Sequence, residues 1–207
     1  MTSLARRDPV TDALLTPENS ALLVIDYQAT QIQSIQSIAH PTLLRNVAMT
    51  IQLAQIYHVP IVLSTVNVAT GRNKDTVPYL KRVLGDIPSI DRTNINAWED
   101  GDFVEAVKAT GRKHLVMAAL WTEACLTFPA LDALREGYSV HPVVDAVGGT
   151  SKVAHETALR RMEQAGAELT TNAQLACEWQ RDWNRTDTVP DFVKTMFAAG
   201  DFISLEA

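Results

Sequence analysis

Short apolar runs alternate along the chain with segments whose apolar positions recur at helical spacing. The run at 21–26 is continuously apolar until Asp26 closes it, and a second short run at 60–65 is centred on Ile61, Val62 and Leu63, a pattern typical of strands that are buried on both faces of a parallel sheet. Between them, residues 41–58 show helical spacing, and Pro41 suits the first turn of a helix. This alternation predicts strand–helix–strand units joined by right-handed crossovers.

The same alternation continues to the end of the chain and predicts six strands and seven helices. The predicted strands are 21–26, 60–65, 89–91, 114–120, 138–144 and 168–171. The predicted helices are 41–58, 76–84, 100–110, 125–136, 153–165, 173–183 and 190–199. We therefore expect an α/β fold, a three-layer α/β/α sandwich around a mainly parallel six-stranded sheet. Residues 1–19 are interpreted as an N-terminal arm, and residues 20–207 as a single domain with a C-terminal helical tail.

Composition and charge indicate which kinds of molecule the protein is not expected to bind. The chain has 207 residues and a formal net charge of -6, which suits one domain and argues against a nucleic-acid partner, since that would need a basic surface. No apolar run approaches the roughly 20 residues that span a bilayer, and the start of the chain lacks the apolar region of a signal peptide. Only two cysteines occur, so a disulfide scaffold is not expected. We expect a cytoplasmic protein without a membrane or nucleic-acid partner.

Three residues that could carry chemistry follow predicted strands. Asp26 closes the first strand, Arg92 follows the third, and Cys125 follows the fourth at the opening of a predicted helix. In open parallel sheets, ligands bind beyond the carboxyl ends of the strands. A helix N-terminus favours thiolate over thiol and can hold the negative oxygen that forms when a nucleophile attacks a carbonyl. The three residues predict a nucleophile with a base and a cation.

Each of these residues also has a structural interpretation. Cys125 could be a small packing residue, Asp26 a helix cap, and Arg92 a partner in a surface ion pair. Cys177 is interpreted as a buried structural thiol. Trp179 and Trp183, four positions apart, are predicted to share one helical face that packs in the core or at a subunit interface. The histidines are scattered and are interpreted as structural or exposed rather than as metal ligands. They are His40, His58, His114, His141 and His155.

Several sequence segments resemble the isochorismatase-like cysteine hydrolases, a superfamily that includes nicotinamidases and N-carbamoylsarcosine amidase. The resemblance runs from about residue 20 to 183 and is strongest to the YcaC-like branch. The matching pieces are Leu-Leu-Val-Ile-Asp-Tyr-Gln at 22–28, Arg-Thr-Asn-Ile-Asn-Ala-Trp at 92–98, the segment 102–111, Thr-Glu-Ala-Cys at 122–125, and Ala-Cys-Glu-Trp-Gln-Arg-Asp-Trp at 176–183.

The resemblance implies roles for particular residues. Asp26 corresponds to the family's catalytic aspartate, Cys125 to its nucleophile, and Arg92 stands where the family usually has lysine. It also implies a cis peptide bond between Leu120 and Trp121, with the Trp121 and Cys125 N–H groups as oxyanion donors. Residues expected to bind substrate are Gln28, Asn67, Trp98 and Trp121.

The resemblance implies no cofactor and no catalytic metal. Nicotinamidases carry an Asp-x-His metal cluster after the second strand, whereas residues 64–71 read Ser-Thr-Val-Asn-Val-Ala-Thr-Gly, without histidine. We expect a homo-oligomer, in stacked rings as the branch suggests. The predicted function is metal-independent hydrolysis of a small-molecule substrate at an amide-like C–N bond other than a peptide bond, through a Cys125 thioester.

Two other functions are compatible with the chain. The exchange of lysine for Arg92 motivates the first, a catalytically weak or inactive homologue that acts as a small-molecule binder or oligomeric scaffold. The second, cleavage of a vinyl ether as by isochorismatases, is disfavoured because it would leave Cys125 without a role.

Overall fold

A parallel five-stranded sheet forms the centre of the molecule. The computed structural model describes residues 7–203, and the strands in this part are β1 Ser20–Ile25, β2 Ile61–Val66, β3 Ser89–Arg92, β4 His114–Ala119 and β5 Ser139–Pro142. Their order is β3-β2-β1-β4-β5, with every neighbouring pair parallel. The strand order reverses between β1 and β4, and ligands of open parallel sheets commonly bind at the carboxyl ends of the strands at such a reversal.

Helices cover both faces of this sheet. They are α1 Ala29–Gln33, α2 His40–Ile56, α3 Pro78–Leu84, α4 Gly101–Ala109, α5 Thr127–Arg135, α6 Lys152–Gln164, α7 Asn172–Gln180 and α8 Val189–Ala199. Alternate β1 residues point to opposite faces: Leu22 and Val24 pack in a core with side chains of α2, α3, α7 and α8, and Leu23 packs in a second core with side chains of α4, α5 and α6. The predicted three-layer α/β/α sandwich is confirmed.

The predicted sixth strand is wrong. Between residues 168 and 171, Thr170 forms only an isolated parallel bridge with Val143, just beyond β5. The Thr170 N–H donates to the carbonyl of Pro142 at 3.0 Å. The next residue, Thr171, already caps α7 by accepting a hydrogen bond from the Gln174 N–H. The chain therefore turns into a helix before a ladder can form.

Trp179 and Trp183 do not share the single helical face that the sequence predicts. Trp179 is fully buried, whereas Trp183 is 64% exposed. The cause is the end of α7 at Gln180, where Arg181 takes a left-handed φ of 56° and breaks the helical spacing between the two tryptophans. Cys177 is exposed, so its interpretation as a buried thiol is also wrong.

Two of the histidines that look scattered in the sequence form a pair. The His114 Nδ1 and His141 Nε2 atoms are 3.0 Å apart, and the rings stack. Burial and the neighbouring His114 lower the pKa of His141 to about 4, so His141 is neutral at pH 7. The pair lies at the start of β4 and in β5 and is structural. Across residues 7–203, every helix is too short or too polar to cross a bilayer.

Residues 7–19 lie against α7. The Leu15 N–H donates to Glu178 at 2.6 Å, and Arg181 donates to the buried carboxylate of Asp12 at 3.1 Å. Leu15 itself is buried in the core between α2 and the sheet. These contacts attach the segment that precedes β1 to the far end of the domain.

Candidate active site

Asp26 and Arg92 form a fully buried ion pair at the carboxyl ends of β1 and β3. Two terminal nitrogens of Arg92, Nη1 and Nη2, donate to the two oxygens of Asp26, each at 2.8 Å. Both side chains are 0% exposed. Such a bidentate, charge-assisted pair fixes both planes with respect to each other. The strands bring together two residues that are 66 positions apart.

Three further acceptors hold the guanidinium of Arg92. Its Nη1 also donates to the Ser64 hydroxyl at 3.1 Å and to the Thr65 carbonyl at 3.0 Å, and its Nη2 donates to the Ile95 carbonyl at 3.2 Å. The Ser64 hydroxyl in turn donates to the carbonyl of Ile90 at 2.9 Å. A lysine ammonium has three donors and no planar fork, so it could not reproduce this set. Sequence reasoning missed these supporting residues because Ser64 and Thr65 stand inside an apolar run.

Cys125 lies in a short π-helical turn that leads into α5. The turn spans Thr122–Leu126, with Trp121 at its N-cap. The Thr127 hydroxyl donates to the Thr122 carbonyl at 2.6 Å, and the Thr122 N–H donates to the Gly148 carbonyl at 2.9 Å. Single π turns are frequent at functional sites. Cys125 is buried and is the residue of this turn that faces Asp26.

The thiol of Cys125 is held in its protonated form. Burial, the negative charge of Asp26 and the hydrogen bond to that carboxylate raise its pKa to about 12, although Arg92 and the Trp121 N–H act in the opposite direction. Burial therefore outweighs the expected effect of the helix N-terminus in the resting site, and the activation of Cys125 stays a prediction. The positive charge of Arg92 is neutralised by its pairing with Asp26, and desolvation outweighs the remaining attraction.

The backbone of Trp121 lies beside the Cys125 thiol. The peptide bond between Leu120 and Trp121 is cis, and the Trp121 N–H lies close enough to the Cys125 sulfur to lower the pKa of the thiol. The indole nitrogen of Trp121 donates to the Ser34 hydroxyl at 2.6 Å. The assignment of the Trp121 and Cys125 N–H groups to an oxyanion site stays a prediction.

The other residues expected to bind substrate have different surroundings. The buried amide of Gln28 is taken up by backbone groups: it donates to the carbonyls of Val66 and Lys74 and accepts from the Val66 N–H. Trp98 packs edge-on against Phe103 and Tyr138, and its indole donates to Glu136 at 2.9 Å. These contacts fix the side chains of Gln28 and Trp98, and their assignment to substrate binding stays a prediction.

Asn67 remains at the edge of the site. It follows β2 with a left-handed φ of 63°, and its N–H donates to the carbonyl of Arg92 at 2.8 Å. Its side chain accepts a hydrogen bond from Thr70. The assignment of Asn67 to substrate binding stays a prediction, as do those of Gln28, Trp98 and Trp121.

A metal centre has no counterpart in the described residues. In 7–203, no group of three or more histidine, cysteine, aspartate or glutamate side chains could hold a metal ion. The residues that meet at the strand ends are one carboxylate, one guanidinium and one thiol, and the first two already satisfy each other. This donor set suits acid–base and nucleophilic chemistry.

Comparison with known proteins places this site in a family. Residues 20–174 match the isochorismatase domain model, so the chain belongs to the isochorismatase family and is a hydrolase of that family. It is 42% identical over 170 residues to the probable hydrolase YcaC of Escherichia coli K12, an alignment that covers 82% of this chain and 81% of that protein.

Two solved structures support the same assignment. The crystal structure of the Escherichia coli YcaC gene product, described as an octameric hydrolase of unknown specificity, has a TM-score of 0.80 and 38% identity, and the match covers 92% of this chain and 98% of that chain. YcaC from Pseudomonas aeruginosa, solved with hexane-2,5-diol and covalent acrylamide, has a TM-score of 0.80 and 34% identity with the same coverage. The fold and the family resemblance are both confirmed.

Proposed function

We propose that the protein is a metal-independent cysteine hydrolase that cleaves an amide-like C–N bond, other than a peptide bond, in a small molecule. The observation that carries the proposal is the buried Asp26–Arg92 pair beside the protonated thiol of Cys125. A carboxylate next to a thiol can accept its proton at the moment of attack. Asp26 is the base, Arg92 the fixed cation and Cys125 the nucleophile.

The reaction has two halves. In the first, the sulfur of Cys125 attacks the carbonyl carbon, and the thiol proton passes to Asp26. The negative oxygen that forms is held by the N–H groups of Trp121 and Cys125. Asp26 then returns the proton to the leaving amine, the C–N bond breaks, and a thioester remains on Cys125.

Water completes the second half. It gives a proton to Asp26 and attacks the thioester carbonyl, after which the carboxylic acid leaves and the sulfur recovers its proton. Arg92 is effectively never deprotonated, so all proton transfers fall to Asp26. The guanidinium keeps the carboxylate in one orientation through both halves, because it is itself fixed by Ser64, Thr65 and Ile95.

One relative gives chemical support for a nucleophilic thiol. The Pseudomonas aeruginosa YcaC structure contains covalent acrylamide, and acrylamide is an electrophile that thiolates attack.

The second candidate function is a catalytically weak homologue that binds small molecules or serves as a scaffold. The raised pKa of the Cys125 thiol favours that alternative, since little thiolate exists at neutral pH.

A panel of small amides, ureas and nitriles tests the proposal with two matched variants. Cys125→Ser should lower the hydrolysis of any substrate found by at least about 10³-fold, because an alcohol is a much weaker nucleophile here. Cys177→Ser should retain the wild-type rate, since that thiol is exposed and lies on α7. Intact-protein mass spectrometry of a quenched reaction should show an acyl adduct only where Cys125 is present. Equal rates for wild type and Cys125→Ser would contradict the thioester mechanism.

The proposal includes a homo-oligomer arranged as stacked rings. The octameric description of the Escherichia coli relative supports it. Of the apolar tail residues, Trp179, Phe192 and Met196 are buried within the subunit, whereas Trp183 and Phe197 remain exposed. We expect a stable oligomer in light scattering at micromolar concentration. A monomer under these conditions would contradict the proposed assembly.

A further inference from the structure

The indole of Trp121 is fixed by a directed chain of hydrogen bonds. Its Nε1–H donates to the Ser34 hydroxyl at 2.6 Å, and that hydroxyl donates to the Gln31 carbonyl at 2.7 Å. The single proton of Ser34 is thus committed to the carbonyl in α1, and its oxygen acts as the acceptor for the indole. Consecutive hydrogen bonds of this kind strengthen one another. Because the last acceptor is a carbonyl of α1, the orientation of the indole ring depends on the position of α1.

Helix α1 is attached to the loop on the other side of the site. The Thr30 hydroxyl donates to the side chain of Asn73 at 3.0 Å, and the amide of Asn73 donates to Gln31 at 3.1 Å. Asn73 also donates its backbone N–H to the carbonyl of Asn67. Helix α1 therefore connects the loop after β2 with Trp121, across the edge where Asp26 lies.

The segment that follows α1 also supports the turn that carries Cys125, through the backbone of Gly148 and Gly149. The N–H groups of Gln36 and Ser37 donate to the Gly149 carbonyl, and the Gly149 N–H donates to the Ser37 hydroxyl. The neighbouring Gly148 accepts from the Thr122 N–H. The Ser37 contact supports the backbone, whereas the Ser34 contact is made to the indole side chain itself.

The geometry points to Ser34 as a positioning residue that holds the Trp121 indole as a wall of the active site and so restricts the site to small substrates. The inference rests on the proposed function, because it concerns the substrate class of the same site. The Trp121 ring is half-buried, and a half-buried indole could reach water with its N–H. It instead donates to one hydroxyl, whose own proton is already committed. The backbone N–H of the same residue lies beside the Cys125 thiol, so the residue that carries the ring is adjacent to the reacting sulfur.

The test compares how fast Cys125 reacts with electrophiles of different size. Iodoacetamide and N-phenylmaleimide are used in a Cys177→Ser background, so that a single thiol is followed, and the ratio of the bulky to the small rate constant is measured. Ser34→Ala should raise this ratio roughly fivefold or more, the scale on which one neutral hydrogen bond acts. Ser34→Thr keeps the hydroxyl and should restore the wild-type ratio. Ser37→Ala removes a comparable hydrogen bond, the one that the Gly149 N–H donates to the Ser37 hydroxyl, and should also keep the wild-type ratio.

Fluorescence gives a readout that does not depend on the thiol. The difference spectrum between each protein and its Trp121→Phe counterpart reports the surroundings of the indole, and Ser34→Ala should shift it to longer wavelength as water replaces the hydroxyl. An unchanged ratio and spectrum in Ser34→Ala, or an equal change in Ser37→Ala, would overturn the inference. Absence of hydrolysis with a normal size dependence of alkylation would instead overturn the proposed function alone.

Discussion

Replacing Asp26 with asparagine should abolish hydrolysis and, at the same time, make Cys125 easier to alkylate. Two of the causes that raise the pKa of the thiol to about 12 are the charge of Asp26 and its hydrogen bond. Both disappear in Asp26→Asn, while the Arg92 cation that favours the thiolate stays. The pKa of Cys125 should therefore fall. Hydrolysis should fall by at least about 10²-fold, because no base remains to receive the thiol proton and return it to the amine.

The measurement is the rate of iodoacetamide alkylation between pH 7 and 11, again in the Cys177→Ser background. In the wild type the rate should still be rising at the upper end of this range, since the thiol pKa lies near 12. In Asp26→Asn the curve should move to lower pH. The Asp26→Asn variant should still fold, because asparagine retains one oxygen that can accept a hydrogen bond from Arg92. Circular dichroism checks that it does. Coincident curves would show that Asp26 does not control the protonation of Cys125.

The opposite signs of these two effects distinguish the mechanism from a simple reactive cysteine. A thiol activated by a helix N-terminus would exist as thiolate in the resting protein, and the loss of a nearby carboxylate would leave its alkylation almost unchanged. In the proposed mechanism the reactive form arises only when a proton moves from sulfur to Asp26. The negative charge then passes from Asp26 to the sulfur and on to the substrate oxygen, where N–H donors would receive it.

The sequence predicts the sheet well because its strands are buried on both faces. After their first residues, Ser20 and His114, β1 and β4 are apolar without interruption, which is typical of strands covered on both faces. Helix α1 was missed because Ile32 is its only buried residue, so the segment has no helical period. The sixth strand failed because a cap residue follows it directly.

The candidate site divides in the same way. Asp26, Arg92 and Cys125 could be predicted to meet because each follows a strand of one parallel sheet. The protonation of Cys125 could not be predicted, since it depends on burial and on the pairing of Arg92 with Asp26. The chain pattern likewise cannot show that the Gln28 amide is used up by backbone groups.

The arginine at position 92 has a structural consequence. Arg92 makes five hydrogen bonds, two to Asp26 and three to residues of neighbouring strands and loops. The guanidinium thus ties β1, β2 and the segment after β3 to one another at the edge where the chemistry occurs. Its contribution to the reaction and its contribution to the fold depend on the same contacts.

Replacing Arg92 with alanine should lower the free energy of unfolding by about 3–5 kcal/mol, because it leaves the carboxylate of Asp26 buried without a partner. Arg92→Lys should cost less, since it keeps the charge, although a single ammonium cannot bind both oxygens and the three other acceptors at once. Urea unfolding followed by circular dichroism measures both. Arg135→Ala is the matched control: it removes an exposed arginine paired with Asp132 at 3.1 Å and should change the free energy of unfolding by less than about 1 kcal/mol. If Arg92→Ala cost no more than Arg135→Ala, the buried pair would contribute little to the fold, and its geometry at the strand ends would have to be explained by the reaction alone.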